Sequence, residues 1–376
     1  MSYTVSSGYA ARAQRSTADF KRRLTIAGSD YSSRVERWPT FTSIGDRITA
    51  GDISFDIANT DGVFSHWTQN PALMQSAVEV SLGFDYAVGS TEYLTLFSGT
   101  VDSFRLRGGK FGVSALNKFS RLMQRAIGSP GSAQAYTSSN HAASDLAWYI
   151  ISSHGGLDGT KSAANTDVDW AAYTSWTAAN SASAMLLNAN FTGQRAVDAL
   201  DRLADLTRSL VFIEGAKLKF VIIPTSAQTS VYSYGNSTVI ADEVLYDKRS
   251  IFNRYFVSAQ YNVSSRSFAT QVVAANSSSV NSFGAREVTV GDTAVWHADS
   301  GSASRFAQFM ADRFGAAVAQ AEIESPLCAA FVGVGDTITF VNSQSNIQGR
   351  YAVTQETIDL EGATKTIRAL FLTSSL

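Results

Sequence analysis

Residues 78–113 read VEVSLGFDYAVGSTEYLTLFSGTVDSFRLRGGKFGV. Val78, Val80, Leu82, Phe84 and Tyr86 alternate with Glu79, Ser81, Gly83 and Asp85. An apolar period of two marks a strand with one buried and one wet face. YLTLFSGTVDSFRLR then supplies two more strands around Gly99, with a turn at Gly108 and Gly109. Upstream, Ile53, Phe55 and Ile57 alternate with Asp52, Ser54 and Asp56 in the same way. Residues 22–113 are therefore expected to form a small antiparallel β-barrel or sandwich with its apolar set inward.

Outside this region the pattern changes. Residues 1–21 are small and polar without a hydrophobic period, and they read as a flexible arm. Residues 114–240 form a mixed α+β middle region. In SALNKFSRLMQRAIG, Leu116, Phe119, Leu122, Met123 and Ala126 recur at helical spacing, and DLAWYIISSHGG gives a second helix ended by glycines. RAVDALDRLADLTRSL is the cleanest helix: Val197, Leu200, Leu203, Ala204 and Thr207 oppose Asp198, Asp201, Arg202, Asp205 and Arg208. That spacing predicts that Leu200→Asp destroys folding and that Asp201→Ala is nearly neutral. A hairpin turning at Glu214 and Gly215 follows. Residues 241–376 read as a second β domain with one helix, SASRFAQFMADRFG.

Composition narrows the chemistry. Thirty basic residues face 32 acidic ones for a net charge of −2, which argues against a strongly basic nucleic-acid binder. A single cysteine, Cys328, allows no internal disulfide and no four-cysteine zinc site. It reads as a small apolar core residue. The N-terminus lacks an apolar leader core and no run approaches the length that crosses a bilayer, so a soluble chain made without a cleaved signal is expected.

The search for catalytic and binding motifs yields no catalytic, cofactor-binding or metal site. Gly-x-Ser-x-Gly and His-Glu-x-x-His are absent. Gly333-x-Gly335 begins like a dinucleotide fingerprint, but Ile338 stands where the third glycine belongs, and the segment reads as a turn entering a strand. Asp158, Asp167 and Asp169 lack calcium-loop spacing and read as turn carboxylates. His141 and His154 flank the middle-region helix and read as surface or capping residues. His66 beside Trp67 and His297 beside Trp296 read as loop residues at aromatic interface patches.

Four segments, in order, resemble tailed-bacteriophage tail-tip and baseplate hub proteins. The first is LTIAGSDYSSRVERWPTFTSIGDRITAGDISFDIANTDGVFS, which ends in the turn Asn59-Thr60-Asp61-Gly62-Val63-Phe64. The second is LFSGTVDSFRLRGGKFGVSALNKFSRLMQRAIG, a strand pair leading into a short helix. The third, RAVDALDRLADLTRSLVFIEGAKLKFV, resembles the helix and hairpin of hub middle domains. The last begins at NRYFVSAQYN and includes Ser279, Val280, Phe283, Gly284 and Arg286 in an aromatic-Gly-x-Arg turn before VGVGDTITFV. The stretch from about 129 to 190 matches no segment of that family.

The resemblance implies a mainly β fold, with two tail-tube-like antiparallel β-barrel or sandwich domains flanking an inserted mixed domain. It implies a non-enzymatic virion protein that works without cofactors, made in the host cytoplasm. It further implies a homotrimer that presents six tube-like domains to a hexameric tail tube or distal tail protein above. Spike, fibre or tail-tip proteins would sit below, with a tape measure protein as a further partner, and DNA would pass through the lumen without specific binding. Two other readings stay open at this point: a cell-wall hydrolase, and a receptor- or carbohydrate-binding module using Trp67, Trp170, Trp176 and Trp296.

Overall fold

The alternation around Val78 builds a seven-stranded sheet. Ala77–Ala87 pairs antiparallel with Ser90–Arg107, and that strand pairs with Lys110–Asn117. Across the sheet the order is Ser29–Asp30, Phe20–Ile26, Ala77–Ala87, Ser90–Arg107, Lys110–Asn117, Asp52–Ala58 and Val35–Arg37. This computed structural model describes residues 5–13, 20–45, 47–48, 51–69, 74–87, 90–128, 137–180, 185–225, 227–315, 319–342 and 347–372. Leu24, Ile53, Phe55, Val80, Leu82, Phe111 and Val113 are buried, so the apolar set of each strand faces one core.

A second seven-stranded sheet contains Tyr232–Tyr234, Thr337–Asn342, Ile347–Asp359, Thr364–Phe371, Ala319–Pro326 and Ala241–Tyr246 in spatial order, and Thr40–Ile44 also pairs with Ile347–Asp359. Its inward residues, among them Ile323, Phe340, Tyr351, Val353 and Ile367, belong to the same core cluster as those of the first sheet.

The two sheets repeat one strand order. In each, a strand (Asp52–Ala58; Ala319–Pro326) precedes a three-strand meander whose last strand returns to pair with it. Ahead of that unit, the chain first pairs with the meander's opening strand, at Phe20–Ile26 or Tyr232–Tyr234. It then crosses to the far edge, at Val35–Arg37 or Ala241–Tyr246. The first of these pairings is antiparallel in one sheet and parallel in the other. A bulge interrupts the middle meander strand at Asp102 in the first sheet and at Thr354 in the second. In both cases five residue pairs separate the bulge from the hairpin turn. A bulge inserts one residue and shifts every later side chain relative to its partner strand, so a shared bulge position fixes residue-level equivalence between the sheets.

A mixed layer packs around a second, separate core. It contains a six-stranded sheet with Thr137–Ala142, Leu186–Asn190, Val295–His297, Arg254–Asn262, Ser267–Ala275 and Glu287–Val290, and the hairpin Ser209–Glu214/Lys217–Ile222. Helices Ala143–Tyr149, Trp170–Ala179, Ala196–Leu206 and Ser300–Phe314 pack on it through Leu146, Trp176, Leu200, Leu203 and Phe306. The hairpin turns at Gly215, whose φ is +58°. A Cβ there would overlap the Thr95 carbonyl oxygen, so glycine lets the turn approach the first sheet.

Three readings of the sequence differ from this fold. The helix expected from Leu116 to Ala126 is confined to Ser120–Gln124, because Leu116 continues the period-two pattern of Lys110–Asn117. The arm read over 1–21 contains a helix, Ser7–Ala13, whose Tyr9 is buried with its ring 5.1 Å from Phe84, edge to face. Tyr9 docks it, with Val5 and Ala10 packed beside it and the Ser6 N–H donating to Glu92, contacts that a periodicity search over a polar segment does not register. Strands after residue 241 divide between two sheets, with 254–297 joining the mixed layer and 319–371 the second sheet. Alternation reports which face of a strand is wet, and carries no information on which sheet the strand joins.

Candidate assembly surface

The wet faces of the two sheets carry short polar side chains and paired charges of both signs. On the first, the Ser54 and Ser114 hydroxyls lie 3.1 Å apart, Lys21 pairs with Asp85 at 2.7 Å and Arg23 with Glu79 at 3.1 Å. On the second, Arg368 pairs with Glu322 at 2.7 Å. Such exposed pairs contribute little stability individually, but they keep a broad sheet face hydrated.

The junction between the sheets is a strand exchange. Thr40–Ile44 follows Val35–Arg37 of the first sheet and pairs antiparallel with Gln355–Asp359 of the second, Phe41 opposite Ile358. Around it, the Trp38 N–H donates to Glu361 Oε2 at 3.0 Å, and Arg22 Nη1 donates to the Leu360 carbonyl at 2.9 Å. The Arg22 guanidinium also lies over the Trp38 ring at 5.3 Å.

Beneath the junction are buried ions that sequence reasoning missed. Lys365 is fully buried; its ammonium donates to Glu356 Oε2 at 2.7 Å and to the Ala330 carbonyl at 3.1 Å, and also to the Val332 carbonyl. Lys219 pairs with Glu214, both buried, and lies 3.5 Å from Asp169. Burial raises the Glu214 carboxyl above the usual carboxylate range, against the pull of Lys219. A signal did exist: in TKTIRALF, Lys365 falls in register with the inward residues Ile367 and Ala369.

The residues singled out from the sequence are scattered. His141 is exposed on the edge strand Thr137–Ala142, opposite Leu187. His154 ends the turn after helix Ala143–Tyr149, its ring 5.0 Å from Tyr149, and burial lowers its pKa. Asp158 accepts from the Thr160 and Thr166 N–H groups at 2.9 Å each. The Thr160 hydroxyl first, and then these N–H groups, hold its carboxyl down at about 2. Asp167 accepts from the Asp158 N–H and from Lys118, and Asp169 caps helix Trp170–Ala179 by accepting from the Ala172 N–H. Gly335, at φ +84°, sits in a turn that leads into Thr337–Asn342, as the sequence reading had it. The Cys328 side chain lies outside the described residues. Among the described residues, no group of three or more His, Cys, Asp or Glu could hold a metal ion.

Two expectations are corrected here. His297 is no loop residue at an interface: it sits in strand Val295–His297, fully buried, 5.2 Å from the Phe306 ring. Burial lowers its pKa to about 4. Trp67, Trp176 and Trp296 are buried, and Trp170 is half-buried against Tyr173. Trp176 donates to Ser209 Oγ at 2.5 Å. These rings pack the interior and do not form a sugar-stacking platform.

Asp201 also departs from its expected role. Its carboxylate accepts the Ile48 N–H at 3.0 Å and is half-buried, and burial pushes its pKa up to about 6. The aromatic-Gly-x-Arg turn has a clear anchor: buried Asn253 donates to Ser279 Oγ and to the Gly284 carbonyl, and accepts from the Arg286 N–H at 2.8 Å. Gly284, at φ +76°, supplies the left-handed step that closes helix Ser277–Phe283.

No family model and no curated protein sequence matches the chain. Solved structures do. The chain is similar to the tail protein from Neisseria meningitidis MC58, with 12% identity and a TM-score of 0.57 over 93% of this chain and 96% of that one. It is similar to the 43 kDa tail protein of prophage MuSo2 from Shewanella oneidensis, with 13% identity and a TM-score of 0.57 over 93% and 98%. It is also similar to prophage tail protein gp18 from Listeria monocytogenes EGD-e, with 11% identity and a TM-score of 0.56 over 94% and 95%. The fold is that of these phage tail proteins, mainly β and built largely from antiparallel sheets.

Proposed function

We propose that this chain is a structural component of a phage tail, placed at the tail tip or baseplate hub of the virion. The observation that carries this reading is the duplicated strand order within one chain. A trimer of such chains presents six like sheets around one axis, which matches a hexameric tube on one side and a threefold spike or fibre on the other. In this reading a tail tube or distal tail protein binds above, spike, fibre or tip proteins bind below, and a tape measure protein is a further partner. The mixed charges of the wet sheet faces suit a lumen that DNA traverses, since rows of unpaired Lys and Arg would retain phosphates. Chemistry at a reactive side chain plays no part.

The test is immunogold labelling of the tailed particles encoded with this chain. Label at the distal end of the tail is expected. Label confined to the capsid or the host envelope, or particles without the protein, would overturn the reading.

A further inference from the structure

The second sheet is completed by a strand from the first. Thr40–Ile44 lies along Gln355–Asp359, and Ile358, opposite Phe41, is only 1% exposed. The shared bulges at Asp102 and Thr354 make Ser103–Arg107 the matching stretch of the first sheet, with Leu106 in the place of Ile358. Among the described residues, Ser103–Arg107 pairs only with Lys110–Ser114, and Leu106 is 42% exposed. An edge of this kind is a template for another strand.

The same equivalence says which strand. Ile53 and Ala321 stand opposite Ala115 and Ala369, so Asp56 corresponds to Glu324. Their far-edge partners, Arg37 and Ala241, then correspond as well. Counting on three residues, Thr40–Ile44 corresponds to 244–248, Phe41 to Leu245 and Thr42 to Tyr246. Leu245 and Tyr246 are 51% and 65% exposed on the outermost strand of the second sheet. The internal junction uses one edge of each sheet, and Ser103–Arg107 and Val244–Tyr246 are the matching pair left over.

We infer that the edge Ser103–Arg107 takes the Val244–Tyr246 strand of a second copy of this chain, antiparallel, with Leu245 opposite Leu106 and Tyr246 opposite Arg105. Main-chain hydrogen bonds supply the pairing, as in other strand additions. Leu245 on Leu106 repeats the Phe41–Ile358 contact. Arg105 shares a face with the Tyr246 ring opposite it, a cation–π contact that the internal junction, with Thr42 opposite Thr357, does not have. The two edges differ, so the contact is head-to-tail and generates a ring when the rotation closes. The inference rests on the hub reading for the number of copies alone.

The test is cross-linking of the full chain carrying Leu106→Cys and Leu245→Cys with a short bismaleimide, the parent with Cys328 alone serving as background. Covalent dimer and trimer are expected from the double variant, with the ladder ending at three. Mixing the two single variants should give dimer only. No cross-linked product from a chain whose native mass is trimeric overturns the inference and leaves the trimer standing. A ladder continuing past three supports the contact and overturns the trimer. A chain that stays monomeric without cross-linking overturns both. In the same assay Leu245→Asp should lose the oligomer while the melting temperature of its monomer is unchanged, since Leu245 is exposed in the free chain. An oligomer that persists in this variant contradicts the contact.

Discussion

Asp102 and Thr354 hold the same place in two sheets whose sequences have nothing evident in common. Each is the extra residue of a bulge in the middle meander strand, five pairs from the hairpin turn. Bulges redirect the strand that carries them and are kept as structural features. Here they provide the register from which an edge strand in one half of the chain can be matched with its counterpart in the other.

The helix Ala196–Leu206 gives a two-sided test. Leu200 is fully buried, and an aspartate there places a charge in the core at a cost of several kcal/mol, so Leu200→Asp should yield insoluble protein. Asp201 is no longer the neutral control. Asp201→Asn keeps an acceptor for the Ile48 N–H and removes the half-buried charge. Because burial raises the Asp201 pKa to about 6, from about 3.9 when unfolded, its contribution is full at low pH and is lost as pH rises through about 6. Urea titrations should therefore show the variant gaining on the parent between about pH 4 and pH 6, with a constant difference above that. An unchanged difference across that window would refute the buried carboxylate.

His297 acts in the opposite sense. Its folded pKa of about 4 lies below the unfolded value of about 6.5; burial is the main cause, Arg305 adds to it and Asp299 opposes it. The stability it contributes is present above about pH 6.5 and is lost as pH falls through about 4, amounting to about 3 kcal/mol. His297→Phe should flatten stability against pH over that window, whatever its cost at neutral pH. Parallel curves for variant and parent would sink this account.

The Lys365–Glu356 pair is fully enclosed, so removing one partner leaves the other charge uncompensated. Lys365→Met should cost about 3–5 kcal/mol, and Lys365→Met with Glu356→Leu should recover much of it. Chemical denaturation of the two single variants and the double completes the cycle. Additive losses would show that the two side chains do not interact.

Asn253→Ala deletes the three side-chain bonds that hold the turn after helix Ser277–Phe283. A loss of about 2–3 kcal/mol is expected from groups left unsatisfied. Hydrogen exchange should report early opening at Arg286, whose N–H loses its acceptor. Unchanged protection there would mean that the backbone holds the turn alone.

The sheets and the hairpin were legible in the sequence because alternation and turn residues are local signals. Val78 to Phe84 and the turn at Gly215 behave as read. What local signals could not convey is which strands share a sheet. Thr40–Ile44 looks like a first-sheet strand and completes the second. The long stretch from 129 to 190 is partly structured by contacts distant in sequence, such as Trp176 with Ser209, which no spacing announces. Polarity likewise misled at Asp201 and His297, since polar residues are buried wherever packing or a backbone partner accepts them. The candidate surface was the least legible part. It consists of edges, and an edge is defined only once every other strand has been placed.

The most direct test of the central claim is electron microscopy of the purified full chain. The account predicts a threefold ring around a central hole, lined by six sheet units that alternate between first-sheet and second-sheet type. A strictly twofold particle, or a threefold one in which the two sheets of each chain lie at different radii, would contradict it.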